Sequence, residues 1–180
     1  LARLAPSPLP APVPPPPPLT ASPAPALPKL EFFNGTGGFD LDGREYVTIL
    51  QGGRTTPSPW INVIANPSFG FNVSAEGSGH VWPENSRENQ ITPWSNDSVT
   101  DPSGEAIYLH DLETGHIWTP TALPMRGPGT YIARHGFGYS RFEHEANSIA
   151  SEMIQFVPPD AGAMLRQCDA VLKDGVTVVM

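Results

Sequence analysis

Thiols are almost absent from this chain. A single cysteine, Cys168, rules out an internal disulfide and any cysteine-based zinc cluster. Long apolar runs are also missing, and none approaches the ~20 residues that a membrane-spanning helix needs. Basic residues are few, with 10 Lys and Arg against 18 Asp and Glu, for a formal net charge of −8. Nucleic acid is therefore not an expected partner, because phosphate binding needs a basic face. Five histidines are present, His80, His110, His116, His135 and His144, but no pair has the tight His-x-x-x-His spacing of a metal site. No metal or other cofactor is expected. A signal-peptide core is lacking too, since prolines interrupt every candidate apolar stretch near the N-terminus. The 180 residues are enough for one ordinary domain, and the start at Leu1 rather than Met suggests a fragment.

Aromatic residues draw the internal borders. All 16 Phe, Trp and Tyr residues lie between Phe32 and Phe156. Residues 1–29 hold 12 of the 23 prolines, including Pro14 to Pro18 in a row. Such a segment buries too little to offset chain entropy, and it reads as a disordered or polyproline II linker. Residues 30–159 read as an all-β domain. Arg44–Leu50, Trp60–Ala65, Phe69–Ser74, Glu105–Asp111, Thr130–His135, Tyr139–Ala146 and Ile149–Val157 are short runs rich in Val, Ile, Phe and Tyr. Turn-forming pairs such as Asp42-Gly43, Gly52-Gly53 and Asn66-Pro67 divide them. Many short strands without intervening helices point to an antiparallel sandwich or barrel. Residues 160–180 differ: Ala161–Lys173 has helical character, Asp174-Gly175 a turn, and Val176–Met180 a short apolar end.

The densest polar stretch is Asn85-Ser86-Arg87-Glu88-Asn89-Gln90-Ile91-Thr92-Pro93-Trp94-Ser95-Asn96-Asp97, with Trp82 just upstream. Planar donors and acceptors such as Arg, Asn and Gln can grip pairs of sugar hydroxyls, and an indole face can cover the apolar C–H face of a pyranose. Trp82, Arg87, Asn89, Gln90 and Trp94 are the candidate substrate-binding residues. The alternative is a polar surface loop closed by a buried tryptophan. Other constellations carry less. Glu143-His144-Glu145, on a strand, puts both glutamates on one face and His144 on the other, which reads as a solvated strand face. Gly35-Thr36-Gly37-Gly38 is followed by no helix and reads as a tight turn rather than a phosphate loop. Fifteen acids in residues 31–158 are too many for the sequence to nominate a catalytic pair.

Several of these segments carry a family resemblance. Phe32-Phe33-Asn34-Gly35-Thr36-Gly37-Gly38-Phe39, Asp42-Gly43-Arg44-Glu45-Tyr46, Thr56-Pro57-Ser58-Pro59-Trp60-Ile61-Asn62-Val63-Ile64-Ala65-Asn66-Pro67 and Asn85 through Asp97 resemble the start of the phosphorylase-like region of bacterial cyclic β-1,2-glucan synthases. Arg134-His135-Gly136-Phe137-Gly138-Tyr139-Ser140-Arg141-Phe142 is similar to a segment shared with cellobiose and chitobiose phosphorylases. The resemblance covers residues 31–158 and implies an antiparallel β-supersandwich, the module that precedes an (α/α) barrel in that glycoside hydrolase family. It further implies a β-glucan oligosaccharide or polysaccharide as ligand, a catalytic barrel domain or a homodimer partner, and a cytoplasmic location or one on the cytoplasmic face of the inner membrane. Two departures matter. The family's catalytic carboxylate belongs to the barrel, so no catalytic residue is expected in this chain. Residues 161–180 do not look like the family's further sandwich strands, so an incomplete sandwich, from a truncated or frame-shifted frame, is expected. The chain then supplies substrate-binding loops without chemistry. A stand-alone carbohydrate-binding module and a non-enzymatic remnant with a proline-rich interaction arm are the other readings.

Overall fold

A computed structural model of the protein describes residues 26–172 and 177–179. The proline-rich arm up to residue 25 and the turn at Asp174-Gly175 lie outside the described residues. The strands in chain order are β1 (Gly37–Phe39), β2 (Tyr46–Gln51), β3 (Ile61–Ala65), β4 (Phe69–Ser74), β5 (Gly79–Pro83), β6 (Leu109–His110), β7 (Ile117–Trp118), β8 (Thr130–Gly136), β9 (Tyr139–Ala146), β10 (Ile149–Phe156), β11 (Leu165–Leu172) and β12 (Thr177–Val179). All pairings are antiparallel. The protein is all-β, as its alternating strands and turn residues anticipate, and no described residue is helical.

One sheet has seven strands, in the order β1-β2-β8-β9-β10-β11-β12. A second has three, β3-β4-β5, and β6 with β7 forms a small ribbon. The two larger sheets enclose the main core. Phe71, Val73, Ile64 and Val81 from the three-stranded sheet meet Ala133, Phe142 and Met153 from the seven-stranded one. Period-two patterning explains this: Phe69, Phe71 and Val73 share one face of β4, while Gly70, Asn72 and Ser74 share the other. Asn62 ties the layers together, donating from Nδ2 to the carbonyls of Gly136 (3.0 Å) and Tyr139 (2.9 Å). Asn147 and Ser148 join β9 to β10 with φ of 52° and 62°, the left-handed pair that a two-residue hairpin turn requires.

The helix expected over Ala161–Lys173 is not formed. Leu165–Leu172 is strand β11, in register with β10 through eight pairs from Phe156↔Leu165 to Ile149↔Leu172. Leu, Arg, Gln and Ala favour helix locally, but tertiary context overrides that preference. Here alternate residues supply the context: Cys168 packs on the main core and Ala170 is buried, while Leu165 and Val171 are exposed. The strand expected over Glu105–Asp111 shortens to Leu109–His110, held by Ile117–Trp118 across the turn at Asp111 to Gly115.

Candidate functional site

The outer face of the three-stranded sheet carries the aromatic cluster. On β5, Val81 faces the core, so His80 and Trp82 face outward. Trp82 lies flat on β4 at Gly70, where an added Cβ would sit 2.7 Å from the indole ring. Trp82 is consequently buried, at 8% exposure. His80 packs beside it, with ring centroids 4.8 Å apart.

The segment after β5 folds back over this face and is pinned at both ends. Ile91 N–H donates to the Val81 carbonyl (2.9 Å), and Val81 N–H donates to Thr92 Oγ1 (2.9 Å). Further on, Ser74 Oγ donates to Asp101 Oδ2 (2.5 Å) and Ser78 Oγ donates to the Pro102 carbonyl (2.6 Å). Gly104 makes the return possible: a Cβ there would meet the carbonyl oxygens of Pro93 at 2.7 Å and Gly79 at 2.9 Å. Between the pins, Trp94 is laid on His80 and remains 41% exposed. Its uncovered side borders a shallow cleft walled by Pro59, Ile61, Asn72, Asp97 and Asp101.

Electrostatics at the cleft follow from burial. His80 is almost fully buried, and desolvation lowers its pKa against the opposing pull of the Ser86 carbonyl, which lies near the ring but outside hydrogen-bonding geometry. The imidazole is therefore held neutral beneath Trp94. Burial raises the pKa of Asp101, and the Glu76 charge adds to that rise, while the Ser74 hydroxyl opposes it. Asp97 is held below the usual carboxylate range, first by the Val99 and Thr100 backbone amides.

The five residues named from sequence separate into two groups. Trp82 and Trp94 come together through His80. Arg87, Asn89 and Gln90 instead sit on an exposed turn. The Asn85 side chain caps that turn by accepting from the Arg87 and Glu88 amides. The Arg87 guanidinium is 90% exposed and pairs with Glu88 at 3.4 Å. Asn72, Asp97 and Asp101 line the cleft and His80 supports Trp94 from below, and none of these four is among the candidates expected from the sequence. The sequence holds only a faint signal for His80, its two-residue spacing from Trp82, which puts both on one face once the segment is a strand.

A separate cavity of about 230 Å³ lies on the seven-stranded sheet, lined by Glu143, Glu145, Glu152, Ile132 and Ala150. His144 also lines it, but no Trp, Tyr or Phe does. The solvated strand face expected at Glu143 and Glu145 is corrected here, since Glu145 is buried and Glu143 pairs with Arg134 at 2.6 Å. His144 does point to the other face, stacked on Tyr131 at 3.7 Å. Among the described residues no cluster of His, Cys, Asp and Glu is arranged to hold a metal, and no helix is long and apolar enough to cross a membrane.

Comparison with known proteins agrees with this architecture. The supersandwich domain of glycosyl hydrolase family 94 matches residues 44–170. Over 129 residues the chain is 50% identical to the cyclic beta-(1,2)-glucan synthase NdvB of Rhizobium meliloti (strain 1021), covering 71% of this chain and 5% of the synthase. It is 31% identical over 132 residues to the N,N'-diacetylchitobiose phosphorylase of Vibrio furnissii, covering 72% of this chain and 16% of that enzyme. The corresponding phosphorylase of Vibrio proteolyticus is 29% identical over 141 residues, covering 77% and 17%. The chain thus spans a small part of the length of each of these relatives.

Proposed function

Since the chain belongs to the glycosyl hydrolase 94 supersandwich family, we propose that it is the saccharide-contacting sandwich of a cyclic β-1,2-glucan synthase or a related glycoside phosphorylase. It contributes a binding surface and leaves the bond-making chemistry to a separate (α/α) barrel domain or to the barrel of a partner subunit. Its location is then that of the parent synthase, the cytoplasm or the cytoplasmic face of the inner membrane.

One observation carries this reading. Trp94 is fixed from below by His80, is uncovered above, and borders a cleft supplied with Asn72, Asp97 and Asp101. An indole presents an apolar face to the C–H side of a sugar ring, and the neighbouring amide and carboxylates accept or donate to its hydroxyls. Each such hydrogen bond contributes about 1 kcal/mol net. A stack and two or three bonds correspond to a Kd on the order of 1 mM, equivalent to about 4 kcal/mol. Arg87, Asn89 and Gln90, on their exposed turn, are available to contact the same saccharide further along or to meet the barrel.

The test is a titration of the 180-residue chain with β-1,2-linked glucose oligosaccharides, followed by the indole resonance of Trp94. A saturable shift that Trp94→Ala abolishes, with the fold intact, supports the reading. A Trp94 signal unmoved at tens of millimolar saccharide overturns it.

A further inference from the structure

The cleft beside Trp94 does not end at Asp101. On the other side of this residue lies a cavity of about 200 Å³, walled by Thr55, Thr56, Ser58, Glu76, Val99 and Leu123. Pro59 and Asp101 border both spaces, so the two are adjacent and share a wall. We propose that the second cavity is a further saccharide subsite, so that this surface takes a linked pair of sugar rings with Asp101 at the junction. The proposal rests on the reading of Trp94 as a sugar platform and extends it to the length of ligand recognised.

The chemistry of the cavity suits this role. Its volume is room for roughly six water molecules, the order of one hexose ring. Val99 and Leu123 offer apolar surface for ring C–H groups. The Thr55 and Ser58 hydroxyls can both donate and accept, as a sugar hydroxyl requires, while Thr56 Oγ1 donates to Glu76 at 3.3 Å. One wall is pinned by hydrogen bonds. Glu76 Oε1 accepts from the Thr56 backbone amide at 2.9 Å, and its other oxygen is held by the Arg126 guanidinium, which also donates to the Arg54 carbonyl at 2.9 Å. Glu76 is thereby committed to structure, and Asp101 is the acid that faces both spaces. A carboxylate has about four acceptor positions, so the bond from Ser74 leaves capacity for hydroxyls on either side.

A ligand bridging the two spaces gains from linkage, because binding one ring raises the effective concentration of the other. The two halves of this surface are joined through the Ser74–Asp101 bond and the Pro59 wall rather than through a flexible loop tip, which keeps their spacing fixed.

The experiment compares glucose with sophorose, the β-1,2-linked glucose disaccharide, on the ¹⁵N-labelled chain. Sophorose should bind about tenfold more tightly than glucose and should shift the amides of Ser58 and Val99 as well as the Trp94 indole. Val99, 79% exposed at the rim, is the place to block the cavity. Val99→Trp should leave glucose binding at Trp94 unchanged and remove the tenfold gain. Should that variant melt early, Ser58→Tyr, at another lining residue, occludes the same space. Equal affinity for glucose and sophorose, or a gain that survives the blocking substitution, overturns the second subsite while leaving the Trp94 platform standing. A Trp94 indole silent to both sugars removes the platform itself and the subsite with it.

Discussion

The imidazole of His80 lies parallel to the indole of Trp94, with ring centroids 4.4 Å apart and planes inclined by 3°. His80 in turn lies beside Trp82, with the two ring planes inclined by 34°, so the three rings form one cluster reaching from Gly70 to solvent. Stacked aromatic pairs contribute about 0.5–1.5 kcal/mol beyond their area. His80→Phe keeps a flat ring in place and should retain both stability and the Trp94 environment. His80→Ala removes the support, and should lose at least about 1 kcal/mol more than His80→Phe in urea melts. Equal melts for the two variants would show that the stack contributes nothing.

Arg87 provides the contrast. Its guanidinium is 90% exposed and its partner Glu88 is 70% exposed. Arg87→Ala should leave stability within about 0.5 kcal/mol of the parent. In the isolated chain it should also leave the affinity for glucose, too short to reach the turn, unchanged, whereas Trp94→Ala should abolish it. In a full-length synthase the Michaelis constants of the same two variants ask whether the exposed turn meets substrate or a neighbouring domain there.

Gly104 sets the height of the Trp94 loop. Both atoms that a Cβ would strike are backbone oxygens, which cannot turn aside as a flexible side chain does. Gly104→Ala should therefore cost about 1–3 kcal/mol and broaden the Trp94 indole signal. A variant with parental stability and an unmoved indole contradicts this.

Glu45 is a buried carboxylate shared by Arg134 at 3.2 Å, Arg141 at 3.4 Å and the Tyr139 hydroxyl at 2.6 Å. Glu45→Ala removes one partner from each guanidinium, while Glu143 stays within 2.6 Å of Arg134 and 3.7 Å of Arg141, and should cost about 1–3 kcal/mol. Tyr139, pushed up to about 12 chiefly by its bond to Glu45, offers a second readout. In Glu45→Gln its phenol should titrate nearer to 10, followed by ultraviolet absorbance.

Acid sensitivity centres on His135. Burial pushes its pKa down to about 4 against the opposing Trp60 carbonyl, and burial lowers His144 and His80 as well. Each is depressed relative to the unfolded value of 6.5, so the unfolded state binds the extra protons. Stability contributed by the neutral rings is present above about pH 6.5 and drains away as pH falls towards 4. Urea midpoints taken across that window should decline, and His135→Phe should flatten the decline.

Much of the sheet was legible because its strands are strongly patterned. Phe69–Ser74 and Tyr139–Ala146 were read with their observed bounds, and Ile149–Val157 to within one residue. β5 was missed because Gly79 and Pro83 flank only three residues, His80, Val81 and Trp82, too few to show a period. β11 was missed because its residues favour helix locally and reveal their alternation only against β10. At the candidate site the two tryptophans were legible as large aromatics in polar surroundings. His80 and Asp101 were not, since their roles depend on a twenty-residue segment folding back onto β4 and β5, and no local pattern encodes that return.

Gln51 and Thr130 bond side chain to side chain across a sequence separation of 79 residues, where β2 joins β8. From β8 to β11, by contrast, each strand pairs with its immediate successor. Closing a long loop is entropically slower than forming neighbouring hairpins, so the β8–β11 meander should gain amide protection first, with β2 following. Pulse-labelled exchange showing β2 protected as early as β9 would contradict this order. The Trp94 stack and both clefts lie inside the long loop. Anything that delays the β2–β8 closure therefore delays the docking of the proposed saccharide surface onto the seven-stranded sheet without altering one of its residues.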